Sequence, residues 1–511
     1  SILGINMALY LIYAASVVAA YEIGFIIHQL YFSPLRDIPG PRLAAISSLW
    51  CLYHGLMRNQ KFLEIEECHK KYGPVVRIGP NNVVVKDSRS LKSIYLGKLD
   101  KVAEYDALRT NNGTPTAFSC IDQSESTGKR RYAPGITPYS NDTLEKWHPM
   151  MLHHIEHLLG ILNCKPEQPV DVLSLCMHLL IDRLADVLLK NKPGALQNFE
   201  NGRPNPLSVH IHGWFKRNNI KRNMPNLISN VLEYVPIKNW QDITLSDTRF
   251  ADYVRPLVRN LRSDVDTGGP PEIMCLAERL STAVNPHTQQ LWPESHIVSE
   301  CIDHFLAGAE TSSIAISYTL YNLARFPAIQ KKIYEEIDDA TRDASQLLTI
   351  HVLAQLPYLN AVIKESLRMY PPSPGTLERV VPSDGLTFFG HYLPSGTAVG
   401  IQTWSLHYDE EVFPEPAVFI PFRRVLPANL TSYSICLITL SVISSVGGRS
   451  CPGKNLAWVD MRLVIASIVL HFDIKLPSWT NEDTMAPQDL SETLSPKSGK
   501  CDLVFVPRLK A

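Results

Sequence analysis

No feature of this 511-residue chain limits its fold as strongly as the run from Trp292 to Phe326. Pro293 and Glu294 suit a helix start, and no further proline intervenes before Pro327. At 1.5 Å per residue the run predicts a helix about 50 Å long, enough to cross a whole domain. In its middle stands Ala307-Gly308-Ala309-Glu310-Thr311. Glycine costs about 1 kcal/mol in a helix interior, and an acid beside an alcohol is unusual in so apolar a setting. Small Ala307 and Gly308 leave room beside the helix. A threonine bonded back to its own helix opens a local groove, and acid and alcohol together can organise water and protons.

A second stretch, Ser444–Leu456 (SSVGGRSCPGKNL), places Cys451 between Gly447-Gly448 and Pro452-Gly453, with Arg449 two residues upstream. Glycines allow a tight turn and close approach to a flat ligand. Apolar Leu456, Ala457, Val459, Leu463 and Val464 then recur at helical spacing, and Pro452 suits the first turn of a helix. The positive end of a helix favours a thiolate there. Such a sulfur is suited to bind iron, and a thiolate ligand on haem iron favours O–O cleavage. Upstream, Glu365 and Arg368 in LNAVIKESLRMY stand three apart on one helical face, where an ion pair forms. Pro371-Pro372 ends that helix, and Phe419-Ile420-Pro421-Phe422-Arg423 follows.

Taken together and in this order, A-G-x-D/E-T (307–311), E-x-x-R (365–368), F-x-P-x-R (419–423) and G-x-R-x-C-x-G (447–453) resemble the motifs of the cytochrome P-450 haem-thiolate monooxygenases. The resemblance runs from about Ile38 to Pro507. It implies a mostly α fold with small β-sheets (α+β), and haem b as cofactor with the Cys451 thiolate as axial iron ligand. Ala307 and Gly308 would border haem and dioxygen, Gly447 and Gly453 the cysteine, and Glu310 and Thr311 would serve proton delivery. Arg379, Arg449 and a third arginine, Arg131 or its neighbour Arg130, would hold the haem propionates. Glu365, Arg368 and Arg423 would form a buried network supporting the cysteine loop. The implied reaction inserts one atom of O2 into an apolar small molecule, as in fungal biosynthetic or detoxifying members. Electrons would come from NADPH through a separate cytochrome P-450 reductase, with cytochrome b5 as a further donor and Lys454 and Arg462 on a basic docking face.

The rest of the chain fits that frame. Residues 1–32 read as an anchor: Met7–Tyr21 is almost wholly apolar, the apolar character resumes after Glu22 through Phe25, Ile26 and Ile27, and Ile2–Ile27 is long enough to span a bilayer. Arg36 and Arg42 follow it, placing the bulk of the chain in the cytosol. The expected location is the endoplasmic reticulum membrane, in a single pass. Residues 33–41 (SPLRDIPGP) read as a proline-rich hinge, and 42–511 as the catalytic domain, expected to be monomeric. A formal net charge of −1 argues against a nucleic-acid binder. Ten scattered cysteines without a CxxC suggest a reduced, cytosol-facing protein. Lys71–Val85 reads as the start of a small sheet, Gly385–Val399 as a strand pair, Trp147–Leu162 and Val172–Leu189 as helices and Lys192–Pro206 as loop; the resemblance implies that Leu207–Trp240 forms the mobile roof of the substrate pocket.

The pattern also breaks. Ser444 stands where the family carries the phenylalanine that shields the thiolate, Phe422 where glutamate is common, and Ser126 and Thr127 where a tryptophan or histidine is usual. From Val425 to Gly448 no residue is charged, and the run is apolar and β-branched. These departures support an alternative reading, an inactive or non-catalytic haem-binding member. A third reading, a peroxide-rearranging or dehydrating relative, is opposed by the intact Glu310-Thr311 pair.

Overall fold

The computed structural model describes residues 2–97, 99–122, 139–223, 238–269, 271, 273–285, 288–342, 348–423, 449–489 and 493–508, with backbone alone at 2–12, 14, 15, 223, 238, 239 and 489. Ten helices of twelve residues or more organise these residues. They are α1 (Ile2–Ile27), α2 (Lys61–Tyr72), α3 (Asn141–Asn163), α4 (Val172–Leu189), α5 (Pro206–Asn223), α6 (Ser246–Gly268), α7 (Glu294–Arg325), α8 (Pro327–Thr341), α9 (Pro357–Met369) and α10 (Lys454–His471).

The long helix forms as expected: α7 has 32 residues, capped by Pro293. It stops because Phe326 precedes a proline, which disfavours helical backbone; its φ and ψ are −122° and 76°. Pro327 then opens α8. Helix α4 packs along α7, and both are buried on almost every side. That is why the apolar repeat of α4 extends to nearly every side of the helix. Asp171 starts α4 by accepting the amides of Leu173 and Ser174. Arg183 of α4 and Asp460 of α10 form an ion pair wholly inside this core.

Among the described residues the two larger sheets accompany the helices, with two two-stranded pairs besides. One contains β1 (Val75–Arg77), β2 (Asn82–Val85), β4 (Arg379–Val380) and β5 (Ala398–Ile401) in the order β1-β2-β5-β4, with β2 and β5 parallel. The other, antiparallel, has β7 (Asp502–Pro507) between β3 (Pro169–Asp171) and β6 (Phe472–Lys475). The expected pair over Gly385–Val399 is a hairpin of Leu386–Phe388 and His391–Leu393, turning on Phe389 and Gly390 with φ of 50° and 83°. Its last residues, 398 and 399, belong instead to the four-stranded sheet.

One expected loop is not simply a loop. Within Lys192–Pro206, Ala195–Glu200 is helical. Its start is held by buried Asp182 of α4, whose carboxylate accepts the amides of Ala195 and Leu196 at 2.7 and 2.8 Å. The capping group comes from 13 residues away, so no local pattern announces it.

The expected hinge is bolted down. Leu35 and Ile38 are buried in the core of the four-stranded sheet. Arg77, only 2% exposed, donates to the carbonyls of Pro80 (2.8 Å), Gln29 (3.2 Å) and Leu35 (3.3 Å), and its amide donates to Pro39 (2.8 Å). The expected anchor is helical over Ile2–Ile27, but most of its first half has no described side chains. Among the described residues no helix is long and apolar enough to cross a membrane.

Candidate functional site

The middle of α7 carries an opening. His304, Gly308 and Thr311 are half-buried and Ala307 is exposed, whereas Ile302, Phe305, Leu306 and Ala309 are at most 1% exposed. Positions 304, 307, 308 and 311 share one helical face, so the centre of a largely buried helix presents a stripe of small Ala307, Gly308 and Thr311 beside His304 on a more open face. Thr311 Oγ1 donates to the Ala307 carbonyl at 2.6 Å, the back-bond that opens a groove. Gly308 has a second role: a Cβ there would stand 3.0 Å from Leu184 Cδ1, so the glycine also lets α4 approach α7.

Glu310 lies off that stripe and is buried, 5% exposed, and its Oε2 has no hydrogen-bond partner among the described residues. Burial raises its pKa above the ordinary carboxyl value; His212 of α5, the Thr493 hydroxyl and Lys216 of α5 pull it back. The carboxyl is therefore biased to hold a proton beside Thr311, with two basic groups on the helix above.

Cys451 is exposed and stands three residues ahead of α10, which Gly453 caps. A Cβ on Gly453 would lie 3.9 Å from Cys451 Sγ. Asn455 donates to the Tyr139 carbonyl (3.1 Å), and the Tyr139 hydroxyl bonds His304 Nδ1 (2.7 Å). The cysteine turn is thus tied through Tyr139 to the stripe on α7. No motif marks Tyr139 or His304.

Basic side chains converge on the same neighbourhood. Arg449, 8% exposed, donates to the carbonyls of Cys120 (2.8 Å) and Ile121 (2.5 Å). Arg379, 4% exposed, donates to the carbonyls of Leu377 and Glu378 and lies 5.2 Å from the Tyr95 ring. Lys101, missed in the sequence, is also 4% exposed; its backbone bridges to Arg379 and its amide bonds the Ile121 carbonyl that Arg449 shares, while its ammonium donates to the Phe118 carbonyl and lies 4.3 Å from the Tyr105 and Phe118 rings. A lone lysine in LDKVAEY carries no signal for this.

Glu365, Arg368 and Arg423 meet as a buried trio. Arg368 grips the carboxylate with two bonds, Nε to Oε2 (2.8 Å) and Nη2 to Oε1 (2.9 Å). Arg423 Nε and Nη2 add bonds to Oε1 at 3.1 and 3.0 Å. Arg368 is fully buried and also holds the carbonyls of His407 and Pro416, both at 2.8 Å. The trio fastens α9 to the segment that leads toward the cysteine turn. Arg131 and Arg130, Gly447, Ser444 and the run 425–448 lie outside the described residues.

The family profile named Cytochrome P450 matches residues 41–501. The chain belongs to the cytochrome P450 family. Among its relatives, cytochrome P450 monooxygenase BOT1 of Botryotinia fuckeliana is 28% identical over 93% of this chain and 92% of that protein. Cytochrome P450 monooxygenase hkm5 of Aspergillus hancockii is 28% identical over 89% and 87%, and AKT7 of Alternaria alternata 26% identical over 90% and 88%. This P450 is accordingly a haem-thiolate monooxygenase, mostly helical with small sheets.

The residues present fit the haem that the family implies. A flat macrocycle with two carboxylates needs a sulfur ligand on one face, small side chains on the other and cations at its edge. Cys451 offers the sulfur, Ala307 and Gly308 the small side chains, and Arg379 and Arg449 the cations.

Proposed function

We propose that this P450 is a membrane-anchored monooxygenase of the endoplasmic reticulum that inserts one oxygen atom from O2 into an apolar small molecule of fungal secondary metabolism. The observation that carries the reading is the open stripe Ala307-Gly308-Thr311 on a helix whose other residues from 297 to 324, His304 apart, are buried. When bound, the thiolate-ligated haem supplies the oxygen chemistry. Cys451 would be the iron ligand, with Gly447 and Gly453 in its turn; Arg379, Arg449 and Arg131 would hold the carboxylates. The Thr311 hydroxyl, which donates to the Ala307 carbonyl, would accept from a water in the groove and hold it there, and Glu310 would pass that water protons received from the side of His212 and Lys216. The Glu365–Arg368–Arg423 trio would act structurally, keeping the segment before the cysteine turn in place.

Electrons would come from NADPH through a separate reductase, with cytochrome b5 as a further donor. An open cleft of about 360 Å³ lined by Lys364, Lys454, Trp458 and Arg462 supports a docking site next to the cysteine turn. Arg462 is held in it by Asn360 (2.8 Å) and the Trp458 ring (4.8 Å). An acidic partner suits such a surface, and salt would weaken the encounter. Helix α1 would anchor the chain in a single pass, with the catalytic domain in the cytosol.

The test is the carbon monoxide difference spectrum of the reduced protein in membranes, followed by turnover with reductase and NADPH. A strongly red-shifted Soret band that Cys451→Ser abolishes is expected. A band typical of non-thiolate haem in the unaltered protein would overturn the reading.

A further inference from the structure

Tyr139 and His304 link the cysteine turn to α7 and have no part in the chemistry above. Tyr139 is 1% exposed, and its hydroxyl stands 2.7 Å from His304 Nδ1. An imidazole with its proton on Nε2 accepts at Nδ1, and it is the side chain whose proton comes and goes near neutral pH. Buried Tyr95, Tyr318 and Tyr408 donate instead to the backbone carbonyls of Ile401 (3.2 Å), Met485 (3.1 Å) and Met369 (2.9 Å). A carbonyl holds a phenol but cannot take its proton.

The surroundings of Tyr139 set its resting state. Burial, and then the Cys301, Cys451 and Asp460 charges, hold its pKa well above the usual phenol value, so at rest the hydroxyl keeps its proton. A phenol that loses an electron becomes strongly acidic. In a site away from water the resulting cation is costly unless its proton has somewhere to go, and His304 Nδ1 is that place.

Location gives the pair its role. The Tyr139 carbonyl accepts from Asn455 of α10 (3.1 Å), four residues past Cys451, and the Cys451 charge acts on the phenol. His304 stands one turn ahead of Ala307 and Gly308 on the open face of α7. On its other side the Tyr139 ring meets buried Trp147 edge to face, with centroids 6.5 Å apart. Asn141 and Glu145, between those two rings in sequence, line the cleft that suits an electron donor. An oxidisable ring with its own base therefore lies between the stripe where oxygen would be handled and the face where electrons would enter.

We propose that Tyr139 and His304 are a redox pair that discharges oxidising equivalents left at the haem site when no substrate takes them, sparing the cofactor and its sulfur ligand. One electron passes from Tyr139 to the oxidised haem site, and the phenolic proton passes to His304 Nδ1. The products are a neutral tyrosyl radical and an imidazolium. One electron from the donor that serves the monooxygenase reaction, with return of that proton, restores both side chains. The inference rests on the reading of Cys451 as the iron ligand beside the α7 stripe.

The experiment uses the full-length ferric haem-loaded protein and a peracid, which oxidises the haem without substrate or reductase. Electron paramagnetic resonance of rapidly frozen samples is expected to show a tyrosyl radical, whose spectrum narrows when the protein carries ring-deuterated tyrosine. Tyr139→Phe is expected to cut the radical yield several-fold and to bleach the Soret band several-fold faster, with the thiolate–carbon monoxide band retained. His304→Asn keeps an acceptor oxygen near the position of Nδ1 but no base. It is expected to behave as Tyr139→Phe does, whereas a merely structural bond would leave it like the parent. No tyrosyl signal in the parent, or an undiminished one in Tyr139→Phe, overturns the proposal, and so does unchanged bleaching in both variants. Should Tyr139→Phe fail to fold, parental yield and bleaching in His304→Asn overturn the pair by themselves. A parent without the red-shifted carbon monoxide band would count against the cysteine reading alone, because a peracid oxidises any bound haem and the radical would still report on Tyr139.

Discussion

Glu310 joins stability to pH through a single side chain. Its folded pKa lies above the ordinary 4.5 because burial disfavours the charge. Between 4.5 and that higher value the folded chain keeps a proton the unfolded chain has lost, so stability declines as pH rises through the window. Glu310→Gln removes the ionisation. Thermal unfolding of the variant should therefore depend less on pH above 4.5, while oxygen consumption becomes poorly coupled to product. A variant whose stability profile parallels the parent would show that the carboxyl is not buried as described.

Between elements, close approach and buried charge set the energetics. Gly308→Ala gains about 1 kcal/mol of helix propensity but forces a Cβ to within 3.0 Å of Leu184 on α4, and overpacking costs about 1–3 kcal/mol. The second effect should win in the parent. In a Leu184→Ala background the obstruction is gone, and the same change should stabilise by about 1 kcal/mol. A double-mutant cycle of denaturant unfolding measures this coupling, which should be favourable and of order 1–3 kcal/mol. The Glu365 trio follows a different rule. Arg368→Met leaves a buried carboxylate with one guanidinium and strands two carbonyls, at a cost of about 3 kcal/mol or more. Haem content of the purified protein should fall with it. Arg368→Lys, which keeps charge but not the two-pronged grip, should fall between.

Across the whole molecule, the path from α1 into the catalytic domain is fixed by backbone contact. A Cβ on Gly40 would meet the Arg77 carbonyl oxygen at 2.2 Å, and a strand carbonyl cannot move aside. Gly40→Val should therefore undock 33–41 from the sheet while leaving the haem site intact. Limited proteolysis within 33–45 should accelerate at least several-fold, as expected when a packed segment opens locally, with the carbon monoxide band unchanged. Equal proteolysis rates in the two proteins would show that the segment is held by something other than this contact.

Periodic and local signals determined much of this protein directly. The absence of proline between Pro293 and Pro327 fixed α7, the apolar repeat fixed α4 over Val172–Leu189, and motif spacing pointed to Cys451, Thr311, Glu365 and Arg368. These features are legible because helix period, backbone restriction and short-range ion pairs are written within a few residues of one another. Other features were decided only by the tertiary structure: the helix capped by Asp182, the place of Lys101 beside Arg379, and Tyr139 bridging α10 to His304. Each joins residues from 13 to 316 positions apart, through one or two atoms of a common residue. Contacts of that kind leave no repeat or spacing in the chain, because what selects them is where the fold places a carbonyl, an amide or a charge out of reach of water.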